Sequence, residues 1–219
     1  MKSWIIQLEI AVLLLLALIL VPSVTLAQGG GKAAGKAAAD AGSGDAIKIK
    51  KLTGLGTQSI VKTPEYQSSI PRGGKQPGGW AELTVVFDTG AEWIDELTFQ
   101  FYALAKNAAA DGDIFSLYKC SVRCSDVEKG KGHKVSVYLR PNMIKRYGQL
   151  VAVAVEISQG GKLIAEEAEK QASMQLQKDW WKNPAVTENK KVTARDGFLL
   201  DRSQTPFAFI NVDDYEVTK

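Results

Sequence analysis

Few residues in this 219-residue chain could do chemistry: two cysteines, one histidine and a pair of adjacent tryptophans. Cys120 and Cys124 are an even pair, which in an exported chain suggests a disulfide. Four residues along a flat strand span about 13 Å, whereas bridged Cα atoms lie within about 7 Å. A Cys120–Cys124 disulfide is therefore expected only if the chain curls through Ser121, Val122 and Arg123. Such a small loop would stabilise by about 2 kcal/mol. The alternative is two thiols on one face of one strand. Zinc takes four ligands, or three and a water, and two cysteines with His133 fall short. A nucleophilic pair of Cys124 with His133 would lack an orienting third group and an oxyanion hole. Asp201, Asp213 and Asp214 do not have calcium-loop spacing. The expectation is no enzyme: no catalytic, cofactor-binding or metal residues.

Trp180 and Trp181 are the other candidates. Neighbours in a chain point in different directions, so one of them could be exposed and mark a binding surface for sugar or protein. Alternatively, one lids the bottom of the fold and the other packs on Pro184.

The elements that would position these residues are strands. In residues 149–158, Val151, Val153, Val155 and Ile157 alternate with Ala152, Ala154 and Glu156. Branched residues at period two fit a central strand covered on both faces. Gly160 and Gly161 then reverse the chain into a partner at 162–165. Further strands are expected at 47–49, 80–88, 93–105, 114–122, 133–140, 191–194 and 206–212. Turns are read at Thr89-Gly90 and Asp111-Gly112, and across the Lys/Gly run 129–134. A helical turn is expected at 143–147 and a short helix at 176–181. Strands spaced by turns, with almost no helical periodicity, predict a mainly β chain: an antiparallel β-sandwich with one or two short helices.

The N-terminus reads as a secretory signal peptide over residues 1–27. Lys2 precedes an apolar run from Ile10 to Val21, and cleavage is expected after Ala27. The run is short for a bilayer span, although an uncleaved anchor is the alternative. A type IV prepilin cut between Trp4 and Ile5 would place Glu9 at the fifth mature position, but the usual glycine is replaced by Trp4. Residues 28–46, rich in Gly and Ala, form a flexible linker. Residues 47–219 then form one domain with a C-terminal extension. The net charge of +3 has no clustered basic excess of the kind nucleic-acid binding needs. Membrane contact is expected only through the signal segment.

The strand order of 47–165 resembles an immunoglobulin-like sandwich, with Tyr147 at the position of a corner tyrosine. The chain also resembles a family of exported verrucomicrobial proteins, of the Akkermansia type, encoded with type IV pilus components. That likeness rests on the signal peptide, the Gly/Ala tether, the strand W-A-E-L-T-V-V-F at 80–87 and the strand Q-L-V-A-V-A-V-E. It implies an immunoglobulin-like fold and an exported structural or interaction role, in the periplasm, outer membrane or cell surface. The implied partners are pilus or envelope proteins, with no cofactor. The alternatives are a carbohydrate-binding module using exposed Trp180 and Trp181, and a thiol enzyme using Cys124.

Overall fold

The computed structural model describes residues 47–64, 78–107 and 114–209, all within the compact unit Ala41–Lys219. The signal peptide, the linker, the Asp111-Gly112 turn, Asp213 and Asp214 lie outside the described residues.

Two long strands dominate. β1 (Ile47–Thr53) and β2 (Ile60–Lys62) precede β3, which runs unbroken over Gly79–Asn107, and β4 runs over Ile114–Leu139. The helix α1 (Pro141–Tyr147), expected from sequence as a corner, leads into β5 (Gln149–Gln159) and β6 (Lys162–Lys170). A short helix α2 (Pro184–Thr187), β7 (Val192–Ala194) and β8 (Leu199–Asp201) follow. Residues 176–181, expected as a helix, are irregular chain and turn. Their helical pattern is too short to persist once both tryptophans are drawn onto the sheet. Residues 206–209 are turn rather than strand.

Thr89-Gly90 does not separate two strands, and neither does the run 129–134. Both lie inside continuous strands, at a corner. Phe87 and Phe99 are twelve residues apart on β3, which is about 40 Å in a straight strand. Their ring centroids are nevertheless 5.1 Å apart, so β3 doubles back over itself, with β4 following it in register. The register shifts between Phe87 and Thr89 and again between Thr89 and Trp93, as expected where bulges bend a sheet. Asp126 has φ 53°, a left-handed conformation that Asp tolerates better than most residues. It flips the pleat: Cys124 and Val127, three residues apart, are both buried, as are Ile94 and Leu97 on the paired strand. At the corner, Thr89 Oγ1 donates to the Glu128 carbonyl (2.7 Å) and accepts from Gly130 N–H (2.8 Å).

The result is a sandwich whose two layers share β3 and β4. One layer has β1 and β2 beside the first half of β3, then the second half of β4 and β8. The other has β6, β5, the second half of β3, the first half of β4 and β7. All pairings are antiparallel except β4 with β7. Between the layers lies the main core, including Leu83, Val85 and Phe87 from one and Leu97, Phe99, Phe101, Val153, Val155 and Ile157 from the other. Ala152 and Ala154, on the opposite face of β5, are also fully buried, as a centrally placed strand requires. Val151 departs from the expected alternation. A register shift at Leu104/Ala105 puts Val151 with the alanines on the outer face, and Leu150 enters the core instead.

Phe87 joins the layers, so Phe87→Ala is expected to cost about 3–5 kcal/mol, read as a lowered urea midpoint with an unchanged slope.

Candidate interaction surface

After β6 the chain crosses the outer face of the β5 layer as a strap, reaching the far edge where β7 pairs with β4. Gln171 N–H donates to the Val151 carbonyl (2.9 Å) and fixes its start. Under the strap lies an apolar cluster of Leu104, Leu117, Val151, Ala152 and Ala154, closed by Trp180 and Trp181. The small alanines leave room for indole rings. Trp180 is 1% exposed and Trp181 4%, with rings at 79° and centroids 6.0 Å apart. A sugar platform needs exposed, coplanar rings, so the alternative of a glycan surface at Trp180 and Trp181 is corrected: these tryptophans hold the strap down. A second outer cluster, Trp80, Tyr138, Leu200 and Phe207, covers the other layer.

Glu156 anchors the strap. It is the single charged residue of β5, and its half-buried carboxylate collects donors. Trp181 Nε1 donates to Oε1 (3.0 Å) and Tyr102 Oη to Oε2 (2.9 Å), while Lys182 Nζ lies 3.1 Å from Oε1. Lys182 also pairs with Glu166 on β6. Burial raises the Glu156 pKa, but the hydrogen bonds from Trp181, Tyr102 and Lys182 outweigh it, and the net shift is downward. Tyr102 is pushed upward by burial and by its bond to that carboxylate. The sequence carried one signal for this hub: a lone carboxylate in an otherwise apolar strand must find partners. It could not say that Tyr102 and Lys182 supply them.

Cys120 and Cys124 are both thiols rather than halves of a disulfide, which corrects the expected pairing. Cys120 faces Phe101 and Cys124 faces Leu97 on an unbroken ladder. The intervening residues stay extended, so the curl that a bridge needs is absent. Burial, with Asp201 nearby, pushes the Cys120 thiol up to about 12, which suits packing and opposes nucleophilic attack. His133 lies beyond the corner from Cys124, paired with Phe87, and its Nε2 is 3.2 Å from Thr89 Oγ1. Asp201 instead caps the turn after β8, accepting from Gln204 N–H (3.2 Å) and Ser203 Oγ (2.5 Å). No group of residues among those described could hold a metal ion. No described helix is long and apolar enough to cross a membrane.

The feature that sequence missed is an open sheet edge. On the side of β4 away from β3, β7 pairs only with residues 115–117 and β8 only with 137–139. Among the described residues no strand pairs with β4 between these stretches. Phe115 N–H donates to Lys191 O, and Leu117 O accepts from Arg195 N–H, both at 2.8 Å. Odd positions thus aim their backbone groups to this side, and period two extends that direction to Lys119, Ser121 and Arg123. All three are exposed. Lys119 lies over the Tyr102 ring (5.8 Å), and Arg123 pairs loosely with Glu96 (3.6 Å).

Comparison with known proteins gives the chain its relatives. A family model matches residues 39–219. A crystal structure of a protein from Akkermansia muciniphila is similar at 22% identity, with a TM-score of 0.64, over 80% of this chain and 93% of that one. That likeness carries the fold. No curated protein matches the chain.

Two outcomes follow from this geometry. Glu156→Gln is expected to cost about 1–3 kcal/mol at neutral pH. The Glu156 contribution is complete above the ordinary glutamate value of 4.5 and is lost as pH falls through the lower folded value. The variant should therefore lose part of the wild-type decline in stability in acid, as read by denaturation at pH 3 to 7. Thiol labelling at pH 8 should be at least about a hundredfold slower in the folded protein than in urea, with two labels added on unfolding. A chain that takes up no label in urea would instead be disulfide-bonded.

Proposed function

The chain belongs to the family whose model matches residues 39–219, and from that premise we propose that it is a non-enzymatic structural protein. In this reading it is exported and acts through protein contacts at the cell surface or in association with a type IV pilus. The observation that carries the proposal is the open edge of β4. An unpaired row of N–H and C=O groups is a template for strand addition by another chain. Charged Lys119 and Arg123 limit indiscriminate pairing at such an edge, so it favours a partner with complementary charge.

The setting comes from resemblance. An apolar leader, a Gly/Ala tether and an immunoglobulin-type sandwich suit a module that stands off an envelope and meets other proteins. Trp180 and Trp181 are buried, and so is Cys124, the thiol an enzyme would have to use, which weighs against the glycan and thiol-enzyme alternatives.

The test is a photo-reactive residue at Ser121 in cells that make the full chain. The expected result is an adduct with an envelope or pilus subunit, another copy of this chain included. A control at exposed Glu188, away from the edge, should give none. No adduct at Ser121, or the same products at both positions, would overturn the reading. Ser121→Pro removes an outward N–H without touching the β3 ladder. It should fold normally by circular dichroism and lose the association.

A further inference from the structure

One end of the sandwich is strongly basic. Helix α1 closes the end opposite the Thr89 corner, and the chain on either side of β7 comes in beside it. Residues 140–148 and 188–197 together hold Arg140, Lys145, Arg146, Lys190, Lys191 and Arg195 against two carboxylates, Glu188 and Asp196. Two of the cations are gathered on one ring. Arg195 lies 3.6 Å from the centre of the Tyr147 ring and Arg146 lies 5.1 Å from it, so they are no further apart than those two distances together. Arg195 is also fixed from below, because its Nε donates to Oγ of the buried Ser116 (2.9 Å). Its two Nη groups remain as donors, the pair that can grip a carboxylate.

Neither arginine meets a carboxylate among the described residues. Like charges held this close repel unless an anion joins them. Helix-end stabilisation accounts for Lys145 and Arg146, which sit in the last turn of α1 beside its outward carbonyls. It does not account for Arg195, which is brought in from the turn after β7.

The chain has an acidic segment within reach. Residues 210–219, outside the described residues, read I-N-V-D-D-Y-E-V-T-K, with Asp213, Asp214 and Glu216 in four positions. The described chain ends close to the basic surface. Phe207 stacks on Tyr138 at 4.5 Å, two residues before the Arg140 cap of α1. Arg146 is six residues beyond Arg140, about 9 Å along the helix. Asp213 is six residues beyond Phe207, up to about 20 Å of extended chain. The acidic residues can therefore arrive at the arginines with the sandwich unchanged.

We propose that the basic end is a docking surface for an acidic peptide segment, and that its occupant is this chain's own C-terminal segment, with Asp213, Asp214 and Glu216 on Arg146 and Arg195. The contact closes the end of the sandwich at α1. The tether enters at the opposite end, where Ile47 pairs with Thr89. This closure is separate from the β4 edge and does not depend on what pairs there.

Zero-length carbodiimide cross-linking of the full chain tests it, since this joins a carboxylate to an amine only where the two touch. Lys145, exposed beside Arg146, is the reporter, and exposed Lys129 and Lys131 at the far corner are controls. Peptide mapping is expected to show Asp213, Asp214 or Glu216 linked to Lys145 and not to the controls, with a yield that falls roughly tenfold in about 1 M salt. A mixture of isotope-labelled and unlabelled chain should give links within light or within heavy chains only. Arg146→Glu, on the exposed side of α1, should keep the melting temperature and lower the yield at least about fivefold. Adding Asp213→Lys and Asp214→Lys to it should bring links back, now between position 146 and positions 213 and 214. No link from the segment to Lys145, links spread equally over the controls, Lys145 linked instead to Asp111 or Asp113, or an Arg146→Glu variant that links as well as wild type would each overturn the proposal. Mixed light–heavy links would move the contact to a second copy and overturn closure within one chain. None of these outcomes bears on the Ser121 adduct, so the two readings fail separately.

Discussion

The structure depends on one contact: Phe87 against Phe99, two rings of the same strand brought together across the core. A strand in a flat sheet keeps residues twelve apart on the same surface and far from each other. Here the strand bends until its own two halves face one another, and β4 bends with it. Every other element is placed by that fold. β1, β2 and β8 extend one layer, and β5, β6 and β7 extend the other. The corner has its own chemistry, with Thr89 bonded to the backbone of β4 and Asp126 in a left-handed conformation.

The outer faces follow from the same geometry. A two-layer sheet buries only its inner surfaces, yet β5 is apolar on both. The strap resolves this by carrying Trp180 and Trp181 over Ala152 and Ala154. It is tied down by Glu156, whose position among apolar neighbours is tolerable because three donors converge on it. Phe207 does the equivalent for the other layer, stacked on Tyr138 at 4.5 Å and edge-on to Trp80 at 5.9 Å. What is left uncovered is therefore informative: not a face, but the middle of the β4 edge.

Much of this was legible in residue types. The alternation in β5 announced a central strand with both faces covered, and α1 lay where the corner was expected. Thr89-Gly90 and the Lys/Gly run 129–134 correctly marked changes of direction. Local turn chemistry cannot say whether a chain reverses within a sheet or bends across layers, because that is decided by pairing with β4 some forty residues away. For the same reason Cys120 and Cys124 resembled a bridged pair until the ladder through Val122 fixed them apart. The tryptophans were read either as one exposed ring on a binding surface or as one lid with the other packed on Pro184, but the space left by the alanines admits both. The open edge had no sequence signal, since it exists only where β7 and β8 stop.

The long bent pair also bears on how the chain finds its structure. Asn107 pairs with Ile114, and Ala81 pairs with Leu139. The first closure spans only a few residues, and each later pair extends a ladder already begun. The entropy of bringing distant residues together is thus spread over many small steps instead of one large loop closure. When zipping passes the corner at Asp126 and Thr89, the returning halves deliver Phe87 onto Phe99 without a separate search between layers. A topology whose contacts look non-local in the finished sandwich is thus open to a route that is local at each step.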